Sequence, residues 1–311
     1  MNKGVKAGLI SLLAGAAGMG GAAAMGNYFY EMSMASKPRA PGADENGTDA
    51  CSLGRKWVRE HPARRDVFVT SVDGLRLHGA ALRQKGKDCH RWALCVHGYR
   101  EDLEAMGVCA RHYYEDLGWN VVLPDLRGHG GSEGNYVGYG WDDRLDMVAW
   151  ISRIMRRDAG AEIAMHGVSM GAATVLLTAG GALPDSVKAV VSDCAYTSAL
   201  AIMRHVYQQG GGKGPTGPAL AALRATVKRR NKFDLKSAEP LRAVRTSKTP
   251  TLFIHGVSDD FVPASMMAEL YQAARCPKDF LWVPKAGHAE SFNVDPKLYW
   301  DTVDEFLARY L

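Results

Sequence analysis

The chain has no Cys-x-x-Cys pair, no His-Glu-x-x-His and no complete phosphate-binding loop. Its six cysteines (Cys51, Cys89, Cys95, Cys109, Cys194, Cys276) are scattered, a spacing that excludes a zinc ribbon and a dithiol redox motif. Cys95 and Cys194 lie in or beside apolar runs and are expected to pack as small hydrophobes. A disulfide from Cys89 to a neighbour is an option only for a domain outside the cytoplasm. The run Gly210-Gly211-Gly212-Lys213-Gly214-Pro215 lacks the first glycine and the Ser/Thr of a nucleotide loop and reads as a flexible connector. Net charge is only +5, without interleaved aromatic and basic residues, so nucleic acid is not an expected partner. No histidine spacing asks for a metal, and no motif asks for a cofactor.

What is present first is an address. After Lys3 and Lys6 an uncharged run rich in Leu, Ala, Met and Gly extends from Ala7 to about Tyr30. Roughly 20 such residues can span a bilayer, with the preceding lysines held inside and Tyr28-Phe29-Tyr30 as an aromatic belt at the far interface. Residues 1–35 are therefore expected to form a membrane anchor that leaves the rest outside the cytoplasm. A cleaved secretory signal ending at Ala22-Ala23-Ala24 is the alternative, and a cytoplasmic apolar tail the remote one. Residues 36–64, with Pro38, Pro41, Gly42 and Gly47, read as linker and lead-in.

From about residue 65 strands and helices alternate, the sign of a mostly parallel sheet covered on both faces. Segments 66–70 and 75–82, joined through Asp73-Gly74, read as an antiparallel hairpin. Segments 92–96, 120–123, 163–168, 187–192, 251–254 and 280–283 read as strands. Helical spacing of Leu103, Met106, Ala110, Tyr113 and Leu117 predicts a helix over 101–117. Trp141, Leu145, Val148, Ile151 and Met155 predict the core face of another, and Tyr299, Val303, Phe306 and Tyr310 of a third. Asp125 and Arg127 are expected to tie together the glycine-rich loop 124–134. Between residues 199 and 245 the rhythm breaks, and a helical cap over the sheet is expected there. That insertion holds ten Lys/Arg against Asp234 and Glu239, an excess larger than the whole chain's +5. Its basic face is read as solvated, or as a surface for anionic lipid.

The chemistry centres on Gly167-Val168-Ser169-Met170-Gly171, which follows an apolar strand and opens a small-residue helix. This is the form of a nucleophile elbow, with Ser169 on a sharp turn and glycines where side chains would collide. An acyl-transfer serine needs two backbone N–H groups aimed at the developing oxyanion. Here these are expected from Met170 and, after the strand ending in His97-Gly98, from Tyr99. Farther on, His255-Gly256-Val257-Ser258-Asp259-Asp260 and Gly287-His288 follow successive strands. The order serine, acid, histidine suits a base (His288) oriented by a carboxylate, Asp259 or Asp260.

Taken together, His97-Gly98-Tyr99, Asp125-Leu126-Arg127-Gly128-His129-Gly130-Gly131-Ser132, the elbow, His255-Gly256-x-x-Asp259-x-x-Val262-Pro263 and Gly287-His288 stand in one family's order. Residues 65–311 resemble a serine α/β-hydrolase. They are similar to cinnamoyl-esterase-like and monoacylglycerol-lipase-like enzymes and to membrane-anchored bacterial hydrolases with a helical cap. The resemblance implies an α/β-hydrolase fold, no cofactor and no metal, and Asp259 rather than Asp260 as the acid. It implies hydrolysis of a carboxylic ester through an acyl-serine, with a small-molecule or lipid ester as substrate. The same machinery would serve a thioesterase or peptidase, and a non-catalytic surface protein is the competing class.

Overall fold

Strands buried on both faces belong in the middle of a sheet covered on both sides. Among the stretches with that composition are β3 (Arg91–Val96), β5 (Glu162–Val168), β6 (Val187–Asp193) and β7 (Thr251–Gly256). In the computed structural model, which describes residues 21–37, 47–85, 89–210 and 216–311, they lie inside one eight-stranded sheet. The other strands are β1 (Arg64–Thr70), β2 (Arg76–Leu82), β4 (Asn120–Pro124) and β8 (Lys278–Val283). Their order is β1-β2-β4-β3-β5-β6-β7-β8, antiparallel where β2 meets β1 and β4 and parallel from β4 to β8. This is the α/β-hydrolase fold expected from the sequence, hairpin included.

Helices cover both faces. One side carries α4 (Asp143–Arg157), α5 (Met170–Ala179), α6 (Ala199–Gln209), α7 (Thr216–Asn231) and α9 (Ala264–Ala273), with α1 (Ala22–Ser33) and the short α8 (Pro240–Ala243). The other carries α2 (Ala50–Glu60), α3 (Gly107–Arg111), α10 (Ser291–Val294) and α11 (Pro296–Leu307). Every residue of α5 is buried, as befits a helix apolar all round at the centre of the molecule. The six cysteines are free thiols, so Cys89 has no disulfide partner.

Three expectations change. Segment 101–117 is not one regular helix: a 3-10 turn (Leu103–Met106), α3 and a π turn (His112–Asp116) follow one another. The π turn brings the Tyr113 hydroxyl within 3.0 Å of His166 Nδ1. The core face of α4 is Met147, Trp150, Ile151 and Ile154 together with Asp143 and Asp146, while Leu145, Val148 and Met155 are exposed. Two buried acids disguised that face. Asp146 takes a two-pronged contact from Arg127, at 2.7 Å to Nε and to Nη2, and Asp143 accepts from Gly140 N–H at 3.1 Å.

The third change concerns the apolar N-terminal run. Its last third is α1, which lies on α7 with Gly26, Phe29, Tyr30 and Ser33 buried. A Cβ at Gly26 would sit 2.5 Å from Ala222 O, so the glycine permits the close approach. Phe29 and Tyr30 therefore face protein rather than a lipid interface. Arg230 completes the seam, paired with Glu31 at 2.6 Å and lying 4.4 Å over the Tyr30 ring. Part of the basic surplus of the 199–245 insertion thus holds α1 in place. Among the described residues no helix is long and apolar enough to cross a membrane. The anchor expectation falls chiefly on residues 1–20, which lie outside the described residues.

Candidate active site

β5 runs into Ser169, the cap of α5, whose backbone has φ +58° and ψ −116°. A non-glycine residue in that region is strained, and packing must impose it. The packing is tight: a Cβ on Gly171 would lie 2.0 Å from Val96 O, and one on Gly167 would lie 2.3 Å from the Gly171 carbonyl. Strand and helix thus close on the turn, and Ser169 N–H donates to Asp193 O at 2.8 Å across to β6.

The three candidate side chains come together at the C-terminal ends of β5, β7 and β8. His288 Nδ1 donates to Asp259 Oδ2 at 2.7 Å, which leaves Nε2 to accept from the Ser169 hydroxyl at 2.8 Å. Asp259 is held by the backbone N–H groups of Phe261 and Val262, each 2.9 Å from Oδ1. His255 Nε2 donates to Val262 O at 2.9 Å and lies 3.3 Å from Asp259 Oδ2. Asp260, the next residue, is exposed. Of the two adjacent acids, Asp259 is thus the one bonded to His288.

Electrostatics follow the geometry. Burial alone would raise the Asp259 pKa, but hydrogen bonds from His255 and His288 outweigh it and hold the carboxyl well below its ordinary range. Burial lowers the His288 pKa, offset in part by Asp259. The imidazole thus rests neutral beside a carboxylate, the state in which it can take a proton. Cys194 Sγ also lies within a cluster with Asp259 and His288, their candidate ligand atoms within 4.8 Å of one another. Burial pushes its thiol far up, away from the thiolate that metals bind.

Met170 is the first residue of α5, so its N–H has no acceptor within the helix and sits at the positive end of the helix dipole. Gly98 packs against Ser169, a Cβ there falling 3.5 Å from Ser169 Cβ, and Tyr99 follows it. Behind this loop Leu126 N–H donates to His97 Nε2 at 3.0 Å, and Arg100 N–H donates to His129 Nε2 at 3.1 Å. Asp125 accepts from the N–H groups of Leu103 and Gly131, each at 2.8 Å, and contacts His78 Nδ1 at 2.7 Å. Asp125 and Arg127 are thus structural, as expected.

Sequence reasoning missed the part played by α1. Its C-terminal carbonyls fasten the Gly98–Arg100 loop: the hydroxyls of Tyr99 and Tyr139 donate to Ser33 O at 3.0 and 3.1 Å, and Arg100 Nη2 donates to Met32 O at 2.7 Å. Phe29 and Ser33 line a cavity at Ser169 together with residues of α6 and α7. No sequence signal marks this role, because a run of Ala, Met, Phe and Tyr suits lipid and protein core equally.

A serine on a strained elbow, bonded to a neutral histidine that is itself bonded to a carboxylate, within a mostly parallel sheet, defines the hydrolase class of α/β proteins. Comparison with known proteins agrees. Residues 94–213 match the family model of the alpha/beta hydrolase fold. An uncharacterized protein of Mycobacterium tuberculosis is 30% identical over 251 residues, 80% of either chain. The uncharacterized protein YqkD of Bacillus subtilis is 33% identical over 201 residues, which span 63% of this chain and 64%, under two thirds, of that relative. An esterase of Pyrococcus furiosus shares the fold at 23% identity with a TM-score of 0.67, covering 89% of this chain and 97% of that one. The chain belongs to the α/β-hydrolase family.

Proposed function

We propose that this protein cleaves a carboxylic ester through an acyl-enzyme formed on Ser169. The observation that carries the reading is the unbroken hydrogen-bonded chain from the Ser169 hydroxyl through His288 to Asp259. As the Ser169 oxygen attacks the ester carbonyl, its proton passes to His288 Nε2, and Asp259 stabilises the imidazolium. The carbonyl oxygen becomes an oxyanion that accepts from Met170 and Tyr99 N–H, each such donor worth about 2.7–4 kcal/mol in the transition state. Collapse breaks the bond to the alcohol oxygen, which leaves with the proton from His288. Water then repeats the sequence on the acyl-serine and restores the enzyme.

A fluorophosphonate probe tests this directly. Labelling of the folded protein at Ser169, abolished in Ser169→Ala, is the expected result. A folded protein that hydrolyses esters but takes no label at Ser169 would overturn the assignment.

We also propose that residues 1–21 carry the domain out of the cytoplasm. Lysines ahead of an apolar run support that orientation. Because α1 is folded into the domain, the run left over is Ala7 to Gly21, about 15 residues, close to the core of a secretory signal and short of the roughly 20 of a full span. The mass of the protein isolated from its host decides: full length in washed membranes means an anchor, a chain starting near Ala24 means a cleaved signal, and full length in the cytoplasm sinks both.

A further inference from the structure

Two cavities meet at Ser169, and they differ in size and chemistry. One, of about 50 Å³, lies on the Met170 side under α1, α6 and α7, walled by Phe29, Ile202, Met203, Val206 and Leu223. The other, of about 330 Å³, opens on the His288 side beside α2 and the 3-10 turn, and its walls include His288, Met106, Phe292 and the paired Arg55 and Glu101. The first is almost wholly apolar, and the second is mixed.

The proposed reaction decides which half of an ester goes where. When the tetrahedral intermediate collapses, the carbon–oxygen bond to the alcohol breaks and that oxygen takes the proton from His288 Nε2. It must therefore lie within hydrogen-bond reach of that atom. His288 lines the larger cavity and not the smaller. The alcohol half belongs in the larger cavity, and the acyl substituent, on the other side of the carbonyl carbon, in the smaller one.

Size then sets the substrate class. With about 50 Å³ against about 330 Å³, the acyl side is the narrower of the two, the side suited to a short acyl chain. We infer that the protein removes a short acyl group from a larger alcohol that carries hydrogen-bonding groups, with Phe29 of the N-terminal helix closing the acyl pocket and setting its depth. Phe29 suits this role because it is 3% exposed and backed edge-on by Tyr207, with ring centroids 6.2 Å apart. The inference rests on the acyl-serine reading above.

The test uses the full chain and two ester series. With p-nitrophenol as the leaving group and the acyl chain varied from acetate to decanoate, kcat/KM is expected to peak by butyrate. It should then fall by about tenfold or more once the chain outgrows the pocket, since one misfitting methylene in a pocket changes the rate by that order. With butyryl fixed, a polyol ester should outperform the ethyl ester. Phe29→Ala should move the optimum to longer chains, and Leu223→Ala, at a residue that lines the same cavity from α7, repeats the test if Phe29→Ala does not fold. Fluorophosphonate labelling is run on every variant. Loss of labelling in the wild-type protein would overturn the acyl-serine reading itself. Normal labelling together with a preference for octanoate or longer, or with an optimum that neither variant moves, would overturn the cavity assignment alone.

Discussion

At the scale of single residues the site turns on which of two adjacent carboxylates faces the histidine. Asp259 bonds His288 and two backbone N–H groups, while Asp260 lies at the surface. Asp259→Asn is therefore expected to lower kcat by roughly 10⁴, through loss of the correct histidine tautomer, whereas Asp260→Asn should change it by about twofold at most. Steady-state kinetics on a soluble ester settles the comparison, and equal losses would contradict the geometry. The pH profile carries a second expectation. Burial lowers the pKa of His288 more than Asp259 raises it, so the base stays neutral to more acid pH than an ordinary histidine. Activity should hold across neutral pH, and kcat/KM should fall to half only below 6.5, the ordinary value for the side chain. A midpoint above that value in kcat/KM would show that Asp259 dominates instead. These residues were legible in the sequence because each is tied to a backbone demand: Gly167 and Gly171 exist for a close contact, and acid and histidine follow successive strands.

The elements tell a different story, because a pattern of apolar residues does not say what will cover it. The strands were legible, as their buried runs are short and bounded by turns. The face of α4 was not, since Asp143 and Asp146 occupy core positions that only the approach of Arg127 and of the Gly140 N–H makes tenable. Nor was α1, whose aromatic residues read as a lipid belt and instead pack on α7. Its contribution to the site is testable at Gly26, where a Cβ would meet Ala222 O at 2.5 Å and Thr226 Oγ1 at 2.4 Å. Overpacking of this kind costs about 1–3 kcal/mol, which in a domain of this size lowers Tm by roughly 2–10 °C. Gly26→Val should therefore melt earlier, and it should also lose kcat, because α1 carries the Met32 and Ser33 carbonyls that hold Arg100 and Tyr99. Thermal unfolding and kinetics on the same sample separate the two effects. A lower Tm with wild-type kcat would reduce α1 to a structural strut.

Over the whole molecule, buried ionisable groups of opposite tendency govern how stability responds to pH. His166 in β5 lies between the hydroxyls of Tyr113 and Tyr299, each 3.0 Å away, and burial pushes its pKa down to about 3; His129 is likewise held at about 3. Asp193, bonded by Tyr299 and Ser291 at 3.2 Å each, and Asp143 in α4 are both pushed up by burial to about 7. The two histidines bind protons in the unfolded chain from about pH 6.5 downward but not in the folded one, so they remove stability as pH falls from about 6.5 to 3. The two aspartates keep protons in the folded state that the unfolded state has released, so they remove stability as pH rises from about 4 to 7. Between about pH 4.5 and 6.5 the two slopes oppose each other and the profile should be nearly flat. Below about pH 4 only the histidines and the depressed carboxylates such as Asp259 remain, and stability should fall steeply. Asp193→Asn removes one of the two opposing aspartates while keeping a group of the same shape. Its denaturation midpoint, measured by urea unfolding at intervals from pH 3 to 8, should climb with pH between about 4.5 and 6.5 where the wild-type midpoint stays level. A variant that keeps the wild-type profile would mean that Asp193 is ionised in the folded protein across that range, its charge held by His255 and the two hydroxyls.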